Sequence, residues 1–128
     1  MHKIQMYICL MYSSELIKGT LKTLVLNLLA KHDRMYGYEI TQHVKERTEE
    51  KIQLTEGALY PLLHRLEADG LLTTEKVSIG KRVRKYYKLT KTGKQAATTL
   101  SDEFRQFSKT MNKLLDTFQS KPQLQWLN

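Results

Sequence analysis

Between Leu54 and Leu89 the hydrophobic pattern changes period once, and that change limits what the chain can fold into. Leu59, Leu62, Leu63 and Leu66 recur at helical spacing and form a one-sided apolar stripe. Beyond Gly70, "LLTTEKV" and "VRKYYKL" read as two strands, joined by "SIGKR" with Gly80 supplying the turn. The helix has signals at both ends. Thr55 is a good N-cap, Glu56 suits the positive end of the helix dipole, and Leu54 with Leu59 fits a hydrophobic staple. Gly70 fits the left-handed position after the helix, which lets Leu71 meet Leu66 in a Schellman ending. Pro61 removes one backbone donor and is expected to kink or tighten the first turns. On the second strand Val83, Lys85, Tyr87 and Leu89 share one face, and Arg84, Tyr86 and Lys88 share the other. Leu89 is expected to point inward, which makes Tyr87 core and Tyr86 exposed.

Two helices precede this unit. The first is expected from near Thr20, where Leu21, Leu24, Val25, Leu28 and Leu29 make an apolar stripe. "KHDRMYG" breaks it, and a second helix runs from about Gly37 to Arg47 with Ile40 and Val44 facing in. After the hairpin, Thr90 is an N-cap for a final helix reaching about Phe118. Along it Ala97, Leu100, Phe104, Phe107, Met111, Leu114 and Phe118 are spaced alternately three and four, a heptad pattern of the coiled-coil kind. Such a helix, roughly 45 Å long at about 1.5 Å per residue, outruns a small domain and calls for a partner. The expected division is an N-terminal segment over 1–19, a domain over 20–89, the helix over 90–119 and a flexible tail over 120–128. In the first segment "IQMYICLMY" is apolar but short, and reads as a short helix packing on the domain or on a partner. Met11 is a second candidate translation start, which would make the first ten residues artefactual.

Charge points to the kind of partner. The 128 residues suit one domain and carry a formal net charge of +8, from 21 Lys and Arg against 13 Asp and Glu. Lys76, Lys81, Arg82, Arg84, Lys85, Lys88, Lys91 and Lys94 lie in one stretch with no acidic residue, leaving thirteen of each sign elsewhere. The whole excess therefore sits on and just after the hairpin, which suits a polyanion. Other classes fit badly. Cys9 is a lone cysteine, so neither a disulfide framework nor a thiolate metal site is expected. His2, His32, His43 and His64 are scattered, and no nucleophile–base arrangement is suggested; neither an enzyme nor a cofactor is expected. No apolar run is long enough to span a bilayer.

Three helices followed by a basic hairpin is the winged helix-turn-helix arrangement. The fold class is thus mainly α with a small β-hairpin: an α+β winged helix-turn-helix domain plus a long C-terminal dimerisation helix. The third helix has a buried leucine face and an outward face carrying Gly57, Tyr60, Pro61 and His64. Thr55, Glu56 and Gly57 offer free backbone N–H groups at its start. Such a helix fits a major groove about 12 Å wide, while Lys81, Arg82, Arg84, Lys85 and Lys88 neutralise phosphates. Against this stands a plainer reading of Tyr60 and His64 as ordinary surface or partial packing.

At these residues the sequence resembles the PadR family of bacterial transcriptional regulators. "EGALYPLLHRLEADGLL", "RKYYKLTKTGK" and "YGYEI" carry the resemblance, which spans roughly 16–118. It implies that Tyr60 and Pro61 lie on the recognition helix, that "KRVRK" with Tyr86 belongs to the wing, and that Tyr38 lies near the DNA backbone. Tyr36 stands where many members have His. The resemblance also implies a homodimer formed through the C-terminal helix, repression at an inverted-repeat operator in double-stranded DNA, release by a small-molecule effector, and a cytoplasmic location. Phe104, Phe107 and the N-terminal segment are the expected surroundings of an effector pocket, with simple dimer core as the competing role. The alternative function is a winged-helix protein-interaction module without direct DNA binding. Attachment to a membrane surface is disfavoured, because the basic residues lie on a hairpin and not on an amphipathic helix.

Overall fold

The computed structural model describes residues 12–127, with side chains through residue 116. Among the described residues four helices and three strands follow in the order α1 (Ser14–Ala30), β1 (Met35–Tyr36), α2 (Gly37–Arg47), α3 (Glu56–Ala68), β2 (Leu72–Ile79), β3 (Arg82–Leu89) and α4 (Lys91–Leu127). The strands form an antiparallel sheet in the order β1-β3-β2. The expected α+β class, with a small sheet and a long C-terminal helix, is what the chain adopts. The expectations for the segment before Tyr12, including Cys9, lie outside the described residues.

Helix α1 starts a turn and a half before the expected Thr20. Ser13 caps it, its hydroxyl accepting from Leu16 N–H at 3.3 Å. Ile17 extends the stripe one turn upstream of Leu21 and packs against the core. Gly19, a poor helix former, interrupts the local signal there. Helix α2 spans the expected residues, with Ile40 and Val44 buried.

Helix α3 ends as its sequence requires. Gly70 takes φ +78°, Leu71 N–H donates to Leu66 O at 2.9 Å, and Gly70 N–H donates to Glu67 O at 3.0 Å. Those two bonds are the Schellman pair. At its start the Thr55 hydroxyl accepts from Ala58 N–H at 3.2 Å, and the helix continues through Pro61. The hairpin turn contains only Gly80 and Lys81, since Ile79 pairs with Arg82. Gly80 takes φ +60°, the left-handed conformation such turns need at their first position.

One strand is not expected from the sequence. Met35 and Tyr36 lie in a segment that reads as a mere break, and they pair with Tyr87 and Tyr86 of β3. Two residues are too few to show a period, so only the tertiary structure reveals β1.

The core gathers Val25, Leu26, Leu29, Met35, Ile40, Leu59, Leu63, Leu66 and Tyr87, each exposed by less than 2% or at that limit. Tyr87 is the largest fully buried side chain, as its strand face predicts. Val83 shares that face yet is 65% exposed, because the hairpin runs out past the core.

Helix α4 is anchored at one corner. The Thr90 hydroxyl accepts from Gly93 N–H at 3.0 Å and donates to Gly70 O at 2.7 Å, while Thr90 N–H donates to Leu71 O at 3.0 Å. A Cβ at Gly93 would run into the Leu71 carbonyl oxygen. Further along, Ala97 is buried, Leu100 packs on the core, and Asn27 Nδ2 of α1 donates to Ser101 Oγ at 3.0 Å. Beyond them Phe104, Phe107, Met111, Leu114 and Leu115 are exposed. The helix passes the expected end near Phe118 and runs to Leu127, through Pro122. A proline deletes one backbone hydrogen bond without by itself reversing the chain, which is compatible with a helix that continues past Pro122.

Because a backbone carbonyl and not a flexible side chain occupies the space at Gly93, Gly93→Ala is expected to destabilise the fold by about 1–3 kcal/mol. Urea unfolding followed by circular dichroism checks this.

Candidate nucleic-acid interface

The outward arc of α3 follows from its helical geometry. Leu59, Leu62, Leu63 and Leu66 centre the buried side, which leaves Gly57, Pro61, His64 and Ala68 opposite them. All four are exposed, as are Thr55 and Glu56 at the N-terminus. Arg65 flanks the arc and is exposed too; this cation is not among the contact residues expected from sequence, although a helical wheel would have found it. Tyr38, in the first turn of α2, is 55% exposed. Lys81 and Arg82 stand exposed at the wing tip, and no ion pair holds either among the described residues.

Five expected contact residues are tied into the protein. Tyr60, expected on the outward face, is half-buried and packs on the core. A Cβ at Gly37 would come within 2.5 Å of the Tyr60 hydroxyl, so the glycine of "YGYEI" makes room for this ring. The helical wheel puts Tyr60 on a flank of α3, where the start of α2 covers it. Burial raises the Tyr60 phenol above its usual value near 10, with help from the Glu56 carboxylate. Neutral Tyr60 is therefore the form the fold favours. That contribution is complete below the unfolded value and is lost as pH rises through the higher folded one.

Tyr86, expected to be exposed, is instead half-buried. Its ring meets Tyr36 edge-on at 5.5 Å, and Arg34 Cζ lies 4.3 Å from its centroid. The physical reason is β1, which lays Tyr36 alongside Tyr86 on the sheet face away from the core. Arg84 extends the stack, its Cζ 4.0 Å above the Tyr36 ring. Lys85 folds toward α3, with Nζ 3.9 Å from Glu67 and 5.4 Å from the Tyr87 centroid. Lys88 pairs with Asp33 at 3.5 Å. Arg34 and Tyr36 belong to this surface and are not among the contact residues expected from sequence.

A groove of about 370 Å³ separates the wing from the helices, lined by Tyr38 and Gly37 of α2, Tyr60 and His64 of α3, and Arg84 and Lys85 of β3. Among the described residues no group of three or more His, Cys, Asp or Glu could hold a metal ion, and no helix is long and apolar enough to cross a membrane.

Residues 25–99 match the model of the transcriptional regulator PadR-like family. The chain belongs to the PadR-like family. Its members are transcriptional regulators and not enzymes. A transcriptional regulator from Clostridium thermocellum is 31% identical and superimposes with a TM-score of 0.72, covering 79% of this chain and 95% of that one. A PadR family transcriptional regulator from Eggerthella lenta is 34% identical with a TM-score of 0.71, covering 80% and 88%. Bacillus subtilis PadR, solved in complex with operator DNA, is 32% identical with a TM-score of 0.57, covering 62% of this chain and 44% of its own. The PadR fold accounts for the joint placement of α3 and the wing.

In a PadR-like domain whose Tyr60 is packed in this way, the ring matters more than the hydroxyl. Tyr60→Phe is expected to leave stability at pH 7 within about 0.5 kcal/mol of the parent. Tyr60→Ala is expected to lose about 1–2 kcal/mol, part of the roughly 1.5–3 kcal/mol that full burial of a large apolar side chain contributes. Denaturant titration of both variants separates packing from surface exposure.

Proposed function

We propose that this PadR-like chain is a sequence-specific DNA-binding repressor, acting as a homodimer on an inverted-repeat operator in the cytoplasm and released by a small-molecule effector. The observation that carries the reading is the unpaired charge of the wing beside an uncharged outward arc. Lys81 and Arg82 are exposed and held by no ion pair among the described residues, while the outward arc of α3 has Gly57, Pro61 and Ala68 at its centre. Small residues let a helix approach base edges closely, and the wing cations supply affinity through phosphates. Thr55, Glu56 and His64 of α3 and Tyr38 of α2 are the remaining exposed contact candidates; Arg65 joins them from the flank. Operator DNA on the Bacillus subtilis PadR relative supports the same partner here. The hairpin and the first turn of α4 together carry the chain's excess charge, a placement that a protein-binding winged helix does not need.

The dimer reading rests on α4. Phe104, Phe107, Met111 and Leu114 keep the heptad spacing and are 36–61% exposed, with Leu115 beside them at 50%. Ala97 and Leu100, also expected on this seam, are consumed by the protomer's own core, because the first turns of α4 lie on α1. Phe118 lies beyond the described side chains. A partner covering the exposed part removes about 1.5–3 kcal/mol of apolar exposure per large side chain. A two-fold axis then sets two recognition helices about 34 Å apart, one DNA turn. For the effector, the support is a smaller recess of about 310 Å³ between α1 and α4, lined by Leu24, Asn27, Ile52 and Phe104, next to the seam.

Selection from a random duplex pool is expected to recover an inverted repeat; recovery of no enriched sequence would favour the protein-interaction alternative. Lys81→Ala with Arg82→Ala is expected to weaken specific and random duplex alike, and to lower the slope of log K against log salt by about 0.9 for each phosphate no longer neutralised. Phe107→Asp is expected to sediment as a monomer with its helical signal largely kept and most operator affinity gone. If that variant stays dimeric and binds normally, the interface lies elsewhere.

A further inference from the structure

Tyr36 stands where three elements meet. It closes β1, it precedes the first residue of α2, and it pairs with Tyr86 across the sheet. Its backbone N–H donates to Glu39 Oε1 at 3.1 Å, which fixes the entry into α2. Its ring is the middle of a run of alternating contacts: Arg34 over Tyr86, Tyr86 edge-on to Tyr36, and Arg84 over Tyr36. Glu75 pairs with Arg34 and anchors the far end of that run. At the near end the neighbouring Tyr86 side chain and the nearby Glu39 carboxylate favour the charged form of Arg84.

This arrangement holds a cation in place. Arg84 and Tyr36 line the groove that separates the wing from α2 and α3, together with Gly37, Tyr38 and His64. An arginine on an open strand surrenders rotamer freedom when it binds a partner. Stacked on a ring that belongs to the helix-turn-helix side, it has surrendered much of that freedom beforehand. The ring also links the wing to the start of α2, so the two approach the duplex at a fixed separation. We propose that Tyr36 is a positioning residue of the interface: its ring holds the Arg84 guanidinium at the mouth of this groove, oriented to pair with a backbone phosphate of bound DNA. The proposal rests on the nucleic-acid reading above and adds to it the means by which one wing cation is oriented. The aromatic face supplies the attraction, so phenylalanine serves in place of tyrosine and alanine does not.

The test uses the full chain, a random-sequence duplex as probe, and the variants Tyr36→Ala, Tyr36→Phe, Arg84→Ala and Tyr36→Ala with Arg84→Ala. Arg84→Ala is expected to lower the salt slope by about 0.9, the equivalent of one phosphate. Tyr36→Ala is expected to weaken duplex binding about 2- to 5-fold, the size of an exposed cation–π interaction, and Tyr36→Phe to restore it. The double variant is expected to bind no more weakly than Arg84→Ala alone, because Tyr36 acts through Arg84. A purely structural role for Tyr36 gives additive effects instead, and overturns the proposal. So does an Arg84→Ala variant that binds as the parent does, or a Tyr36→Phe variant as weak as Tyr36→Ala.

The Arg84 Nε–H resonance of the free protein supplies a readout that needs no DNA. It is expected to be ring-shifted in the parent and in Tyr36→Phe, and unshifted in Tyr36→Ala. An unshifted parent resonance overturns the stacking and leaves the nucleic-acid reading intact. A parent chain that binds no duplex at all overturns that reading, and the positioning role with it, even when the resonance is shifted.

Discussion

The corner at Gly70, Leu71, Thr90 and Gly93 is the constraint on which the rest of the structure depends. There α3 ends, the hairpin begins and closes, and the long helix starts. Three hydrogen bonds through Thr90 join these parts: one from its backbone N–H to Leu71 O, one from its hydroxyl to Gly70 O, and one from Gly93 N–H to that hydroxyl. The approach is close enough that Gly93 has no room for a side chain. Each bond is worth only about 0.5–1.5 kcal/mol net. Their effect is mainly geometric: α3, the base of the wing and the first turn of α4 share one rigid origin.

The residues of the candidate interface are of two kinds. Gly57, Pro61 and His64 on α3 and Lys81 and Arg82 on the wing are exposed. Arg84, Lys85 and Lys88 are engaged by Tyr36, Glu67 and Asp33 respectively. Ion pairs at such exposure add little to stability. They set where each long side chain points. The cations at the tip are held by no ion pair among the described residues, while those nearer the core are directed by their partners.

Much of this is legible in the residues. The Schellman ending at Gly70, the N-caps at Thr55 and Thr90, the bounds of α2 and the burial of Tyr87 are local grammar: one residue and its neighbours within a few positions decide each. The PadR-like motifs overlap these same residues, so family and fold are readable together. The departures from expectation share a different cause. Tyr60 reads as outward because its own helix gives it a flank position; Gly37, more than twenty residues earlier, is what covers it. Tyr86 reads as outward because alternation counts only the strand it sits on, and the strand that covers its face is two residues long.

Sequence alone determined the order of the main elements, where α3 and the hairpin begin and end, which leucines of α3 are buried, and where the net charge sits. These are set by backbone conformation and hydrophobic period, which act over a few residues. Only the tertiary structure decided which of the outward residues are available. It packed Tyr60 onto Gly37, stacked Arg84 on Tyr36, took Ala97 and Leu100 into the core, and left Phe104 to Leu115 uncovered. The physical reason is that exposure belongs to a pair of surfaces. A side chain's own position gives its direction, but what it meets there is set by a segment distant in the chain.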